Sequence, residues 1–140
     1  MHTGMEAIRT GEARALRVAV ALASCVPIGA GLAGVLLGPR LLDHAIAGPA
    51  DLDSHFRYLS GLLLAIGLGF ASTIPRIEAM GARFGWLTFL VVAGGIGRLV
   101  SLVAIGPPSP VMLAALAMEL VVTPGLALWR HRAATRSQDR

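Results

Sequence analysis

Lysine is missing from this 140-residue chain, and charge of either sign is scarce: 12 basic and 8 acidic residues make up 14 % of it. Ordinary soluble domains carry roughly a quarter charged residues. A chain that is 55 % hydrophobic has too little polar surface to clothe a soluble globule, so its excess apolar surface must face lipid. The net charge of +4 does not make a nucleic-acid-binding face either, because the arginines stand at the ends of apolar runs instead of gathering into a basic patch. The single cysteine, Cys25, excludes an internal disulfide. No Cys/His spacing matches a zinc site, so no metal is expected. Inside its apolar run Cys25 reads as a small core residue. Basic residues that are all arginine, with abundant Ala and Gly, point to a GC-rich bacterial source.

What is present is length in the apolar runs. A hydrocarbon core of about 30 Å needs about 20 apolar residues in helical form, and four stretches supply it, over about 15–37, 56–74, 84–105 and 110–129. Turn chemistry separates them at Gly38-Pro39, at 75–83 and at 106–110. The expected fold is therefore all-α, an integral membrane four-helix bundle formed by a single transmembrane domain over 1–140, with 130–140 as a flexible basic tail. A cleaved signal peptide fits the first run less well, since the run exceeds the usual 7–15 apolar residues.

Arginine placement sets the expected orientation. Arg9, Arg14 and Arg17, then Arg76 and Arg83, then Arg130, Arg132, Arg136 and Arg140 mark one side, whereas Asp43, Asp51 and Asp53 mark the other. Both termini are then cytoplasmic, in a bacterial inner membrane, with Trp86 and Trp129 near the cytoplasmic interface. Helix contact is expected along small-residue ridges: Ala30, Gly34 and Gly38; Gly61, Ala65 and Gly69; and Gly94, Gly95 and Gly97. Pro27 and Pro124 should each free a carbonyl one turn earlier. The apolar start of the first connection (Leu41, Leu42, Ala45, Ile46 and Ala47) reads as a short surface helix.

Two ionisable groups lie inside spans, Arg98 and Glu119. A charge at mid-bilayer costs about 3 kcal/mol on insertion scales, so such residues face a partner or a cavity. Counted from the Pro107-Pro108 turn, both fall about 10–15 Å below the outer surface at 1.5 Å per residue. They can therefore pair as an arginine–carboxylate fork. Ser101 shares a face with Arg98. Arg57 is the further candidate lining a polar pocket in the outer half of the bundle, with Asp51, Asp53, His55 and Tyr58 at its periphery. His2, His44 and His131 read as solvated.

The run His55-Phe56-Arg57-Tyr58-Leu59-Ser60-Gly61, with Leu64-Ala65-Ile66-Gly67 after it, resembles the second helix of the domain-of-unknown-function family numbered 4345. So do the run from Gly94 through Arg98 and Ser101 to Leu102, Gly106-Pro107, and Met118-Glu119-Leu120 with Pro124. The resemblance covers about 16–129. It implies a small four-helix bacterial membrane protein, distantly similar to the DoxX-like group, and no assigned activity. Some of that group accompany quinone-linked redox systems. With no pair of haem-ligating histidines in its spans, this chain would have to borrow redox chemistry from a partner.

Three functions remain. The preferred one is a non-enzymatic binding, transport or accessory module, with no catalytic residues and no cofactor, whose polar cluster of Arg57, Arg98, Ser101 and Glu119 takes a small anionic or lipid-like ligand. Its partners would be the bilayer and a homo-oligomer or larger membrane complex. The second is a membrane enzyme acting on a lipid-like substrate with Glu119 as acid/base. The third is a purely structural subunit in which Arg98 and Glu119 set helix register.

Overall fold

The computed structural model describes residues 2–42 and 49–138, with side chains over 11–42 and 49–136. It is all-helical. Four stretches are long and apolar enough to cross a membrane: Gly11–Leu41, Ala50–Arg76, Gly81–Ile105 and Pro110–Arg136. This is the make-up of a small multi-pass membrane protein. They lie on α1 (His2–Leu37), α2 (Ala50–Thr73), α3 (Gly81–Ile105) and a last rod in which α4 (Pro110–Ala117) passes through a π turn (Met118–Val122) into α5 (Thr123–Gln138). Large apolar side chains stand outward, Val103 at 82 % and Ile105 at 86 % exposure, a density of apolar surface that soluble monomers rarely show.

The helices outrun the apolar segments. Hydropathy marks where lipid is tolerated, not where the backbone ladder ends. Thus α1 begins at His2 and α2 at Ala50. Within the stretch expected as a flexible basic tail, 130–140, α5 continues to Gln138, built from alanine and arginine, which favour helices. The expected surface helix over 41–47 is only partly visible: Leu41 closes a 3₁₀ turn, Gly38–Leu41. Residues 43–48, with Asp43, His44, Ala45, Ile46 and Ala47, lie outside the described residues, as do Arg140 and the side chains of His2 and Arg9.

The chain divides into two compact units, 20–74 and 1–19 with 75–140. Within 20–74, α1 and α2 form an antiparallel hairpin with almost no space between backbones. A Cβ added at Gly31 would stand 2.5 Å from the backbone nitrogen of Leu64, and one at Gly67 would stand 2.9 Å from that of Ile28. At Gly34 it would meet the Ser60 side chain. Ser60 is buried there and donates to the Phe56 carbonyl at 2.8 Å. The contact ridge on α1 therefore keeps the expected Gly34 and Gly38, with Gly31 in place of Ala30, while on α2 it runs through Ser60, Leu64 and Gly67 instead of Gly61, Ala65 and Gly69. Ala30 and Ala65 are exposed, and Gly61 meets only Val35 at 3.9 Å. Cys25 is also exposed, not in the core. α1 runs unbroken through Pro27, whose ring packs where a Gly67 side chain would go.

In the other unit α3 lies antiparallel to the last rod. A Cβ at Gly95 would stand 2.7 Å from Leu120 Cδ2 and 3.0 Å from Glu119 Cβ, whereas Gly94 and Gly97 meet nothing. The α3–α4 turn uses Gly106 at φ 114, a conformation L side chains rarely adopt. The Ser109 carbonyl then accepts from Met112 and Leu113, and Pro110 occupies the first helical turn, where its missing N–H costs nothing.

Gly31 yields a direct test. Gly31→Ala pushes a methyl into immovable backbone and should lower unfolding stability in detergent by about 1–3 kcal/mol. The neighbouring Gly29→Ala, with open space around it, should be neutral or slightly stabilising in the same denaturation series.

Candidate functional site

Arg57 and Arg130 are used in one way and Arg98 in another. In unit 20–74, α1 ends at Leu37 with Gly38 at φ 62, and its last carbonyls have no intrahelical partner. Arg57 Nη1 donates to two of them, those of Val35 and of Leu36 (3.1 Å). The rest of its guanidinium is held by Asp53 one turn earlier, with Nε to Oδ2 at 2.7 Å and Nη2 to Oδ1 at 3.2 Å. Asp followed by Arg at i, i+4 is the favourable order on a helix, and Asp51 and Asp53 sit in the first turn of α2, where the helix dipole favours anions. A Cβ at Gly38 would stand 2.6 Å from Asp53 Oδ1, so this glycine serves both the backbone angle and the clamp. His55 and Tyr58 are exposed beside it, their rings stacked with centroids 6.5 Å apart, and Asp51 is exposed.

In the other unit, Arg130 does the same for the turn before α3. Its Nε donates to the Ile77 carbonyl at 2.9 Å and its Nη2 to that of Glu78. Gly81 leaves room for the guanidinium. Nearby, Glu12 of α1 accepts from Trp129 Nε1 at 3.3 Å and pairs with Arg136 at 3.4 Å.

Arg98 is held more lightly. Its Nε donates to Glu119 Oε1 at 3.0 Å, and its Nη1 meets the Met112 sulfur at 3.1 Å, a weak acceptor for a charged donor. Among the described residues its remaining N–H groups take no protein acceptor. Arg98 also lines an open cleft of about 100 Å³, together with Ser101, Leu102, Pro108, Met112 and Leu116. The pair is asymmetric: the Arg98 side chain is 38 % exposed and that of Glu119 16 %. Glu119 Oε2 is sealed from solvent and without a hydrogen-bond partner.

Glu119 owes its place to the π turn. Pro124 has no N–H to offer the preceding turn, and its ring crowds the carbonyl four residues earlier. The ladder widens there, and both the N–H and the hydroxyl of Thr123 satisfy the Met118 carbonyl, the hydroxyl at 2.9 Å. The bare face of Gly95 lets the Glu119 stem lie close to α3, one turn from Arg98.

The family model described as "Domain of unknown function (DUF4345)" matches residues 15–130. The chain belongs to the DUF4345 family. The match takes in Arg57, Arg98, Ser101, Glu119 and Arg130 alike, so the capping arginines and the open one all lie inside the family region. No curated protein and no solved structure matches the chain.

Of the residues expected at the site in this DUF4345 chain, the structure brings Arg98, Glu119 and Ser101 into one neighbourhood. The donors of Arg57 are taken up by Asp53 and the carbonyls at the end of α1. Met112, Leu116 and Pro108 were not anticipated as lining residues, nor Arg130 and Glu12 as anchors. The Asp53–Arg57 spacing was a legible signal for the first clamp. No local pattern announces that Arg130 reaches back 52 and 53 residues to Glu78 and Ile77.

Two outcomes follow. Gly38→Ala should destabilise the protein by roughly 1–2 kcal/mol, since a side chain at positive φ is strained before it meets Asp53; thermal unfolding in detergent reads this. Arg98→Ala should cost roughly 3 kcal/mol, the lower end for leaving a buried carboxylate unpaired. Replacing Arg98 and Glu119 together with Leu should recover most of that loss in a double-mutant cycle.

Proposed function

We propose that this protein is a non-enzymatic membrane module whose Arg98 cleft binds a small ligand through an oxygen acceptor. The observation that carries the reading is the unspent donor edge of Arg98. A guanidinium with only its Nε on a carboxylate and a thioether on Nη1 has N–H groups facing open space, where leaving them unsatisfied in an apolar medium is costly. The buried Glu119 oxygen orients the guanidinium from behind.

An enzyme with Glu119 as acid/base is less well supported, because Oε1 is committed to Arg98 and Oε2 is shielded from the cleft. A purely structural role suits Arg57 and Arg130, whose donors fall on carbonyls and on Asp53. It suits Arg98 less well.

In this reading the spans lie in a bacterial inner membrane with both termini cytoplasmic, following the arginine distribution. The cleft then belongs to the outer half of the membrane, near the Gly106–Ser109 turn. A homo-oligomer or larger membrane complex is the expected setting.

Native mass spectrometry of the protein released gently from its own membrane tests this. A small-molecule adduct should accompany the wild-type chain and be lost from Arg98→Ala that is still folded by circular dichroism. A bare chain, or one whose lipid adducts are unchanged in Arg98→Ala, would leave Arg98–Glu119 as a packing device.

A further inference from the structure

The lining of the Arg98 cleft has two chemically distinct parts. One is polar: Arg98 and Ser101. The other is apolar: Leu102, Pro108, Met112 and Leu116. The cleft is formed on helices whose neighbouring side chains, Val103 and Ile105 on α3 and Val111 on α4, are among the most exposed apolar groups of the chain. Its surroundings are therefore hydrocarbon-facing, and Arg98 stands about 10 Å along α3 from the turn.

A freely soluble anion would have to leave water and bury its charge beside lipid to reach that depth. An amphiphile already dissolved in the bilayer need only draw its head inward. Charge also favours an oxyanion in the cleft although Glu119 neutralises Arg98. Arg98 lines the cleft and Glu119, bonded to its Nε, does not, so an oxyanion about 3 Å from the Nη edge is nearer the positive group. At roughly twice that distance from the carboxylate, repulsion is about half the attraction.

We infer that the cleft holds an amphiphile from the bilayer, its oxyanion head on the Arg98 Nη edge and Ser101 and the start of its acyl chain along Leu102 and Leu116. This rests on the binding reading above and gives it a ligand class. The head is a carboxylate or phosphate oxygen, from a free fatty acid or from an anionic phospholipid. Met112 acts as the displaceable contact: its flexible thioether occupies the Nη1 direction that the head oxygen takes over.

The test uses the full-length protein in a mild uncharged detergent, titrated separately with oleate, with an anionic dioleoyl phospholipid and with acetate, and bound ligand is counted by native mass spectrometry. Leu116→Trp fills the apolar part while leaving the Arg98–Glu119 pair intact. Arg98→Gln keeps the stem and removes the charge. The expected result is retention of oleate or of the phospholipid, whichever is the source, with no retention of acetate. Arg98→Gln, provided it elutes as folded wild type does, should lower occupancy by roughly tenfold, the worth of one charge-assisted contact, and Leu116→Trp, under the same proviso, should lower it by occupying the space of the chain.

Equal occupancy in wild type and Leu116→Trp would overturn the proposal, since the chain would then not use the cleft. Acetate binding as well as oleate in an Arg98-dependent manner would also overturn it while leaving the binding module standing. No Arg98-dependent binding of any of the three probes would overturn this proposal. Only the absence of an Arg98-dependent native adduct as well would remove the module reading.

Discussion

Hydrocarbon offers no partner to a polar atom, and much of this structure follows from where its polar atoms find one instead. A helix satisfies its own interior, but its last carbonyls stand open, and a proline opens one more in mid-helix. In this chain carbonyls at irregular points of the helices take side-chain donors: Arg57 on the end of α1, Arg130 on the turn before α3, and Thr123 on the Met118 carbonyl of the π turn. Each contact ties two distant stretches together, or holds a local distortion in place. With little hydrophobic driving force between helices in lipid, such ties and close backbone approach carry the packing.

Close approach in turn depends on missing side chains. Gly31, Gly34 and Gly67 bring α1 against α2, and Gly95 brings α3 against the π turn. The two effects meet at Glu119. Pro124 widens the turn that carries it, Gly95 makes room for its stem, and Arg98 one turn away receives its carboxylate. The pair is a consequence of backbone geometry on both helices, which is why neither residue is meaningful alone.

Arg98 differs from the other two arginines in what remains after its protein contacts. Arg57 and Arg130 end on carbonyl oxygens and a carboxylate, strong acceptors that satisfy a guanidinium well. Arg98 meets a carboxylate only through Nε; its Nη1 meets a thioether, and the residue lines a half-apolar cleft. That contrast carries the proposed reading, in which the binding edge lies on the side of α3 toward α4.

Composition and spacing alone determined that the described chain would be helical, that four stretches would be long and apolar enough for a bilayer, and that Arg98 and Glu119 lie at matching distances from the Pro107-Pro108 turn. Those follow from local arithmetic: residues per turn, rise per residue and the cost of charge in lipid. The family membership was likewise legible in the runs around Arg57, Arg98 and Glu119. Tertiary structure decided which of several equally spaced glycines faces a neighbour, since in a sequence rich in Gly and Ala the 3.6-residue period admits more than one ridge. It also decided that Arg57 caps a helix while Arg98 borders a cleft. The fate of an arginine depends on which acceptors lie within reach of its long side chain, and those acceptors are backbone atoms and side chains supplied by other helices.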